Sequence, residues 1–427
     1  ATPLQTLVQV QLPLAKPSVM MGINQTIMMA LAMVIITALV GASGLGRDVW
    51  TALRRIDAGS GVEAGLAIVI LSIILDRLSY ALARQGTSGS AAKSEVSPRV
   101  HHATDGSGTS DGAFMRYRFL GSVAGLALIL LLGLVVPALR DFPEGLSFSL
   151  AGPINDGVNW MAVNLFFITS WAKESLIREF GLSPVQALLN SLPWPVLVIG
   201  VVALAYAIAG RSVAILAALA MLFFGFGGVW DMAMHTLSQV VVAVVISVVL
   251  GVFVGIWASQ NDTAEAILRP ILDTMQTMPV FVYLIPVLML WGSGPITGII
   301  ATVVYAVPPA IRMTSLGIRL VPPAVVETSW SHGASRLQSL TQVQIPLAMP
   351  TIMMGVNQTI IMALSMVIIA GLIGGGGLGQ EVYVNSVYME MGQGFVAGGA
   401  IVFMAMVLDR ITQGRHRQLQ LVTIGSR

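Results

Sequence analysis

Residues able to do chemistry are few in this chain, and only some recur in a pattern. Glu327, Gly333 and Pro346 fall in a run E-T-S-x-x-x-G-A-x-x-x-x-x-x-x-x-V-x-I-P. Two amide pairs, Asn24-Gln25 and Asn357-Gln358, sit early in long apolar stretches. Gln276, Thr277 and Tyr283 surround the proline of MQTMPVFVY. An amide in lipid is costly, so each pair either lines a path for a polar solute or hydrogen-bonds neighbouring helices. The sequence leaves both open. Tyr283 carries an aromatic face that attracts a cation, although such a ring more often packs in a core.

Other chemistry is excluded. No G-x-x-x-x-G-K-[ST] run occurs, so the chain has no Walker-type nucleotide loop. There is no HExxH, and the five histidines (His101, His102, His235, His332 and His416) show no metal-ligand spacing. Zero cysteines remove disulfides, thiolate metal sites and cysteine nucleophiles. The chain reads as neither an enzyme nor a metalloprotein. The run GGGGLG at Gly374–Gly379 follows no strand, so it is not a dinucleotide loop. It reads as a tight turn leaving a span, with a hinge as the alternative.

These residues need a scaffold, and the composition names its solvent. Of 427 residues, 56% are hydrophobic and only 10% charged. A soluble chain carries about 25% charged residues, so this one is lipid-embedded. Its net charge of +2, with basic residues confined to connecting segments, gives no nucleic-acid stripe. Stretches long and apolar enough to span fall near 18–42, 62–82, 117–138, 191–209, 212–227, 232–258, 279–293, 295–312, 350–374 and 395–413. The fold class is therefore all-α and polytopic, with about ten transmembrane helices. Residues 155–180 mix apolar side chains with Asn, Lys, Glu and Arg, and read as an amphipathic interfacial helix. Trp160, Trp171, Trp194 and Trp230 read as interfacial anchors.

The 85–116 segment is rich in Gly, Ser, Thr, Asp and His and reads as a flexible linker. Lys93, Arg99, Arg116 and Arg118 place it in the cytoplasm by the positive-inside bias. Alternating spans then put Arg269, Arg312, Arg319 and Arg336 on that same side.

A second level of organisation is a repeat. Residues 1–80 align with 334–413 at a constant offset of 333, and 31 of the first 50 pairs are identical. Eight spans separate the two starts, so both copies cross the membrane in the same direction. That is a parallel repeat, unlike the inverted repeats of many secondary transporters. The second copy continues upstream of Ala334 into sequence for which Ala1 has no counterpart. The expectation is a gene that encodes a Gly directly before Ala1, with a Glu six residues before that Gly.

The run from Glu327 to Pro346 resembles the cytoplasmic coupling loop of ABC importer permeases. Glu327, Gly333 and Pro346 match its fixed places, while Thr328 and Ser329 stand for its two alanines. LRPILDTMQTMPVFVYLIPVLML, VPPAIRMTSLGI and the segment from Pro346 to Gln380 resemble permeases of the glycine betaine/proline betaine type. The double length is similar to trimethylamine N-oxide importers. The resemblance implies a type I importer fold and a multi-pass place in the bacterial inner membrane. It also implies that ATP and Mg are bound by a separate ATPase dimer on the cytoplasmic face, with no cofactor in this chain. A periplasmic substrate-binding protein would deliver a small zwitterionic or cationic amine.

The ATPase-coupling residues implied are Glu327, Thr328, Ser329, Gly333, Ala334 and Leu337, with Ala1 and Leu4 beginning the twin in the first copy. Leu337, Leu340 and Ile345 would fill a groove on the ATPase. Two ATPases need two such helices, which accounts for the duplication. The path would open to the cytoplasm while the coupling helices are apart, and outward when ATP draws them together. The domains expected are 1–84, the C-terminal part of a first permease domain; 85–116, the linker; and 117–427, a second permease domain. An amino-acid permease is the nearer alternative. An ion-coupled secondary transporter is the more distant one, disfavoured by the scarcity of ionisable residues within spans.

Overall fold

In a computed structural model, the described residues are 3–6, 41–85, 148–277 and 280–425, together with isolated positions between 15 and 38. They are almost wholly helical. Among the described residues, five helices are long and apolar enough to cross a membrane, and six if one bent pair forms a span. The expected spans 18–42 and 117–138 lie largely and wholly outside the described residues, as does the 85–116 linker.

The chain divides into two compact units, Ala1–Thr26 with Ile74–Gly152 and Ile27–Ile73 with Pro153–Arg427. In the first, Pro3–Thr6 forms one helical turn. The second begins with α1 (Leu45–Arg55) and the N-terminal part of α2 (Ala58–Gln85). Next come α3 (Ala151–Asn164) and a run from Phe166 to Ser191 that includes a π-helical stretch, Ala172–Leu182. That run bends by 109° into α4 (Trp194–Ala209). Leu192-Pro193 makes the corner, since Pro193 holds extended backbone before the new helix.

The bundle follows: α5 (Arg211–Phe226), α6 (Trp230–Gln260), α7 (Asp262–Thr277), α8 (Val280–Trp291) and α9 (Pro295–Arg319). Beyond them lie α10 (Pro323–Ser331), the short α11 (Arg336–Ser339), α12 (Ile345–Leu372), α13 (Gly377–Tyr388) and α14 (Met391–Gly425). Helices α5 and α8, 16 and 12 residues long, are apolar but shorter than a full span.

Helix α9 is the centre, with 61% of its apolar window buried. Small residues let α6 and α12 press against it. A Cβ on Gly255 would lie 2.6 Å from Thr314 Cβ, and one on Gly355 would lie 2.7 Å from Met313 Cβ. Lipid supplies no hydrophobic drive between helices, so such close backbone approach is what holds them together. Pro308 and Pro309 lie within α9 without ending it, so it runs past the expected limit of residue 312 to Arg319. Packed neighbours compensate the freed carbonyls there.

Residues 27–73 share a core with the second copy. Val49, Ala52, Leu53, Ala58 and Ile68 cluster with Phe281, Leu284 and Ile285 of α8. The Asp57 carboxylate accepts from the Ser60 hydroxyl and amide at 2.7 and 3.1 Å, and from Asn155 Nδ2 at 2.8 Å. The Gly59 N–H donates to Asn155 Oδ1 at 2.7 Å. Together these bonds cap α2 and tie it to α3. They hold the Asp57 pKa below its ordinary value, the Ser60 hydroxyl contributing most.

Candidate coupling segment and polar path

Between α9 and α12 the chain makes a compact, largely exposed excursion. Pro322 and Pro323 start α10, where the missing N–H costs nothing. The helix stops at His332, and Gly333 turns the chain with φ of +85°. The Gly333 N–H donates to Trp330 O at 2.9 Å and the Ala334 N–H to Ser329 O at 3.1 Å, which satisfies the last carbonyls. A β-carbon at Gly333 would be strained whatever the space around it.

Ser335 then opens α11 with a reciprocal cap. Its hydroxyl accepts from the Gln338 N–H at 3.3 Å, and its own N–H donates to Gln338 Oε1 at 2.8 Å. The Ser329 and Ser339 hydroxyls meet at 2.8 Å, with Ser339 fully buried, and lock α10 to α11. A π-helical turn, Leu340–Gln344, runs without a break into α12, with Pro346 in its first turn.

Glu327, Thr328, Ser329, Gly333, Ala334 and Leu337 therefore share one small element. Thr328 is spent internally, its hydroxyl donating to Ala324 O at 2.6 Å. The three apolar residues expected to face a partner separate. Leu337 is 69% exposed, but Leu340 and Ile345 pack inward on Ile318, Ala348 and Ile352. The π turn rotates both toward the chain's own core. The exposed large apolar residues of the excursion are instead Val325, Trp330 and Leu337, with Trp330 50% exposed. Trp330 stood in the sequence as a lone large aromatic in a polar loop, and that was its signal.

The same end of the bundle is braced. Arg319 donates to Asp262 Oδ1 at 2.7 Å and to Ala258 O at 2.8 Å, and Ser315 to Glu265 Oε2 at 2.7 Å. Arg312 also pairs with Asp273. These bonds fasten α7 across the ends of α6 and α9, beside the excursion.

Of the candidate path residues, Asn357, Gln358 and Gln276 have described side chains, and they lie on two helices, α12 and α7. Asn357 and Gln358 lie on α12, about 18 Å along the axis from Ile345. Asn357 is half-buried and its buried Oδ1 accepts no hydrogen bond, while Gln358 is exposed. Gln276 is half-buried near the end of α7. Thr277 and Tyr283 are placed on α7 and α8 by backbone only, and Leu4 likewise on Pro3–Thr6. Ala1, Asn24 and Gln25 lie outside the described residues. No group of three or more His, Asp or Glu is placed to hold a metal among the described residues.

At the far end of α12, GGGGLG is a tight turn. Gly374, Gly376 and Gly377 have φ of +78°, +77° and +64°. The first turns of α6 clamp it: Gln239 Nε2 donates to Gly375 O at 2.6 Å, and the Leu378 N–H to Thr236 Oγ1 at 2.8 Å. His235 contacts Gln239 at 2.8 Å, and a Cβ on Gly376 would strike its ring.

A helical bundle with a capped, exposed excursion continuous with a central apolar helix is the architecture of a polytopic membrane protein. The chain belongs to the family of binding-protein-dependent transport system inner membrane components, whose model matches residues 1–85 and 247–414. It is 42% identical over 264 residues to the glycine betaine/proline betaine transport system permease protein ProW of Escherichia coli, covering 62% of this chain and 74% of that protein. It is 46% identical over 225 residues to the glycine betaine transport system permease protein OpuAB of Bacillus subtilis, covering 53% and 80%. To the trimethylamine N-oxide transport system permease protein TmoV of Ruegeria pomeroyi it is 33% identical over 416 residues, 95% of this chain and 60% of that protein. The chain thus spans about three fifths of TmoV.

Proposed function

We propose that this chain is the membrane-spanning permease of an ATP-driven importer in a bacterial inner membrane. Its cargo is a small amine with a quaternary or N-oxide nitrogen, such as glycine betaine or trimethylamine N-oxide. The relatives' names support that class, since their printed substrates share a permanently substituted nitrogen beside an anionic oxygen. The single observation that carries the mechanism is the excursion Pro323–Gln344: self-capped, exposed, and continuous with α12. Exposed apolar side chains on it, Val325, Trp330 and Leu337, would suit docking to a separate ATPase, which would bind ATP and Mg. A binding protein would deliver solute at the opposite face. Movement of the excursion would reach the far end of α12 because no break interrupts that helix.

Substituting Gly333→Val tests this in proteoliposomes that contain the chain with its ATPase and binding protein. The left-handed backbone at Gly333 excludes a β-branched residue, so the excursion loses its shape. ATP hydrolysis persists while glycine betaine uptake is lost. Unchanged uptake in this variant overturns the coupling role.

A further inference from the structure

The two copies repeat in backbone as well as sequence at the end of the bundle opposite the excursion. Helices α1 (Leu45–Arg55) and α13 (Gly377–Tyr388) occupy equivalent positions to within one residue at the offset of 333. Each ends on a non-glycine residue with left-handed backbone: Ile56 at φ +56° and its counterpart Met389 at φ +59°. Gly41 and Gly44, at +96° and +108°, are matched by Gly374 and Gly377, at +78° and +64°. A Cβ on Gly46 would strike the carbonyl of Val34, and one on Gly379 that of Val367, again a matched pair. The two hairpins are one structure used twice.

Trp50 of α1 and Tyr383 of α13 are counterparts at this offset, and their rings touch. The centroids lie 6.2 Å apart with planes at 70°, an edge-to-face contact. Two residues related by a twofold operation meet each other only where the axis passes between them. The contact therefore marks the pseudo-twofold axis at this end. A solute path that follows this axis would pass these rings.

A basin of about 620 Å³ lies on the first-copy side of the contact, bordered by Trp50, Arg47, Thr51, Arg54 and Arg55. The counterparts of Arg47, Arg54 and Arg55 are Gln380, Val387 and Tyr388, so the basic rim belongs to one copy alone. An aromatic face beside guanidinium groups suits a solute with a substituted cationic nitrogen and an anionic oxygen close by.

We propose that Trp50 and Tyr383 form the outer gate of the permease: an aromatic pair that seals the axis when the rings touch and passes onium solutes between them when they part. The proposal rests on the importer reading for its solute, but its principal test needs neither ATPase nor binding protein.

The wild-type chain and variants are reconstituted in proteoliposomes loaded with labelled glycine betaine, and passive efflux is followed without ATP. The wild type stays tight. The double variant Trp50→Ala/Tyr383→Ala leaks at least tenfold faster, with a mannitol-loaded control reporting general membrane damage. The double variant Trp50→Leu/Tyr383→Leu keeps bulk but loses the π faces. It stays tight, and its ATP-driven uptake falls about three- to tenfold. Because the chain has no cysteine, Trp50→Cys/Tyr383→Cys offers a second route that does not depend on how the alanine pair folds. A short bifunctional thiol reagent then blocks uptake and leaves basal ATP hydrolysis intact.

An alanine pair as tight as the wild type, or a cross-linked pair that still imports at the control rate, overturns the gate. Leucine variants with unchanged uptake overturn onium recognition by the rings. A wild-type assembly without ATP-driven uptake overturns the importer reading instead, and leaves the passive-efflux result standing.

Discussion

Gly255→Ala adds one methyl group at a tight crossing of α6 and α9. The new Cβ would lie 2.6 Å from Thr314 Cβ and 2.8 Å from the Ile311 carbonyl oxygen, about 0.8 Å short of ordinary contact at 3.4 Å. The carbonyl belongs to the backbone of α9 and cannot rotate away, so α6 and α9 must part by that distance. Overpacking of this kind costs about 1–3 kcal/mol, and removing a helical glycine returns up to about 1 kcal/mol. The net effect is a loss of about 1–2 kcal/mol. Gly200→Ala in α4 is the control, because nothing lies within 4 Å of its Cβ. It keeps the propensity gain without the clash. Thermal unfolding in detergent then ranks Gly200→Ala at or above the wild type, with Gly255→Ala about 2–6 °C below it. If Gly255→Ala melts at or above Gly200→Ala, the α6–α9 packing is not as described and the argument fails.

Two further outcomes follow from other parts of the molecule. Asp57 has its pKa lowered in the fold by Ser60 first and Asn155 next, so it stabilises the native state above the unfolded carboxylate pKa and that contribution is lost as pH falls below about 4. Melting temperature measured from pH 6 downward drops more steeply in that range for the wild type than for Asp57→Asn; parallel curves would discount the cap. Trp330→Ala removes an exposed ring from the coupling face. It leaves the melting temperature of the isolated chain within about 0.5 kcal/mol of stability, and weakens ATPase binding by about thirtyfold, or 2 kcal/mol. Unaltered binding by calorimetry would move the docking face elsewhere.

Much of the scaffold was legible because its signals are local. Gly333 and Pro346 punctuate the chain by backbone chemistry, and both stand at a turn and a helix start in the fold. The offset of 333 that the sequence shows also pairs Ile56 with Met389, which share a rare backbone angle despite different side chains. What escaped was set by rotation and by distance in space. The π turn at Leu340–Gln344 sends Leu340 and Ile345 to the core, a rotation that hydrophobicity alone does not encode. Helix α12 begins at Ile345, five residues before the expected limit of residue 350. Pro346 is accommodated in the first turn, where its missing donor is no loss. The meeting of Trp50 with Tyr383 is a contact between copies 333 positions apart, and no window of sequence contains it.

That contact also explains why a duplicated permease need not remain symmetric. Identical copies would place identical residues at the axis, and a change to one would alter both faces of the path together. Once the copies share a chain, each side drifts alone. Trp50 faces Tyr383, and Arg54 and Arg55 answer Val387 and Tyr388. The parts that must move as one stay matched: the glycine turns, the left-handed helix ends and the glycine–carbonyl crossings. Matched backbone with divergent side chains is the pattern expected when two hairpins must swing together while a lopsided solute, cationic at one end and anionic at the other, passes between them. Helix α12 is the link on the second-copy side. It carries the excursion at one end and, about 42 Å away, the turn held by Thr236 and Gln239 at the other. On the coupling and gate roles proposed above, displacing the excursion would pull on the clamp that positions α13, and with it the Tyr383 ring.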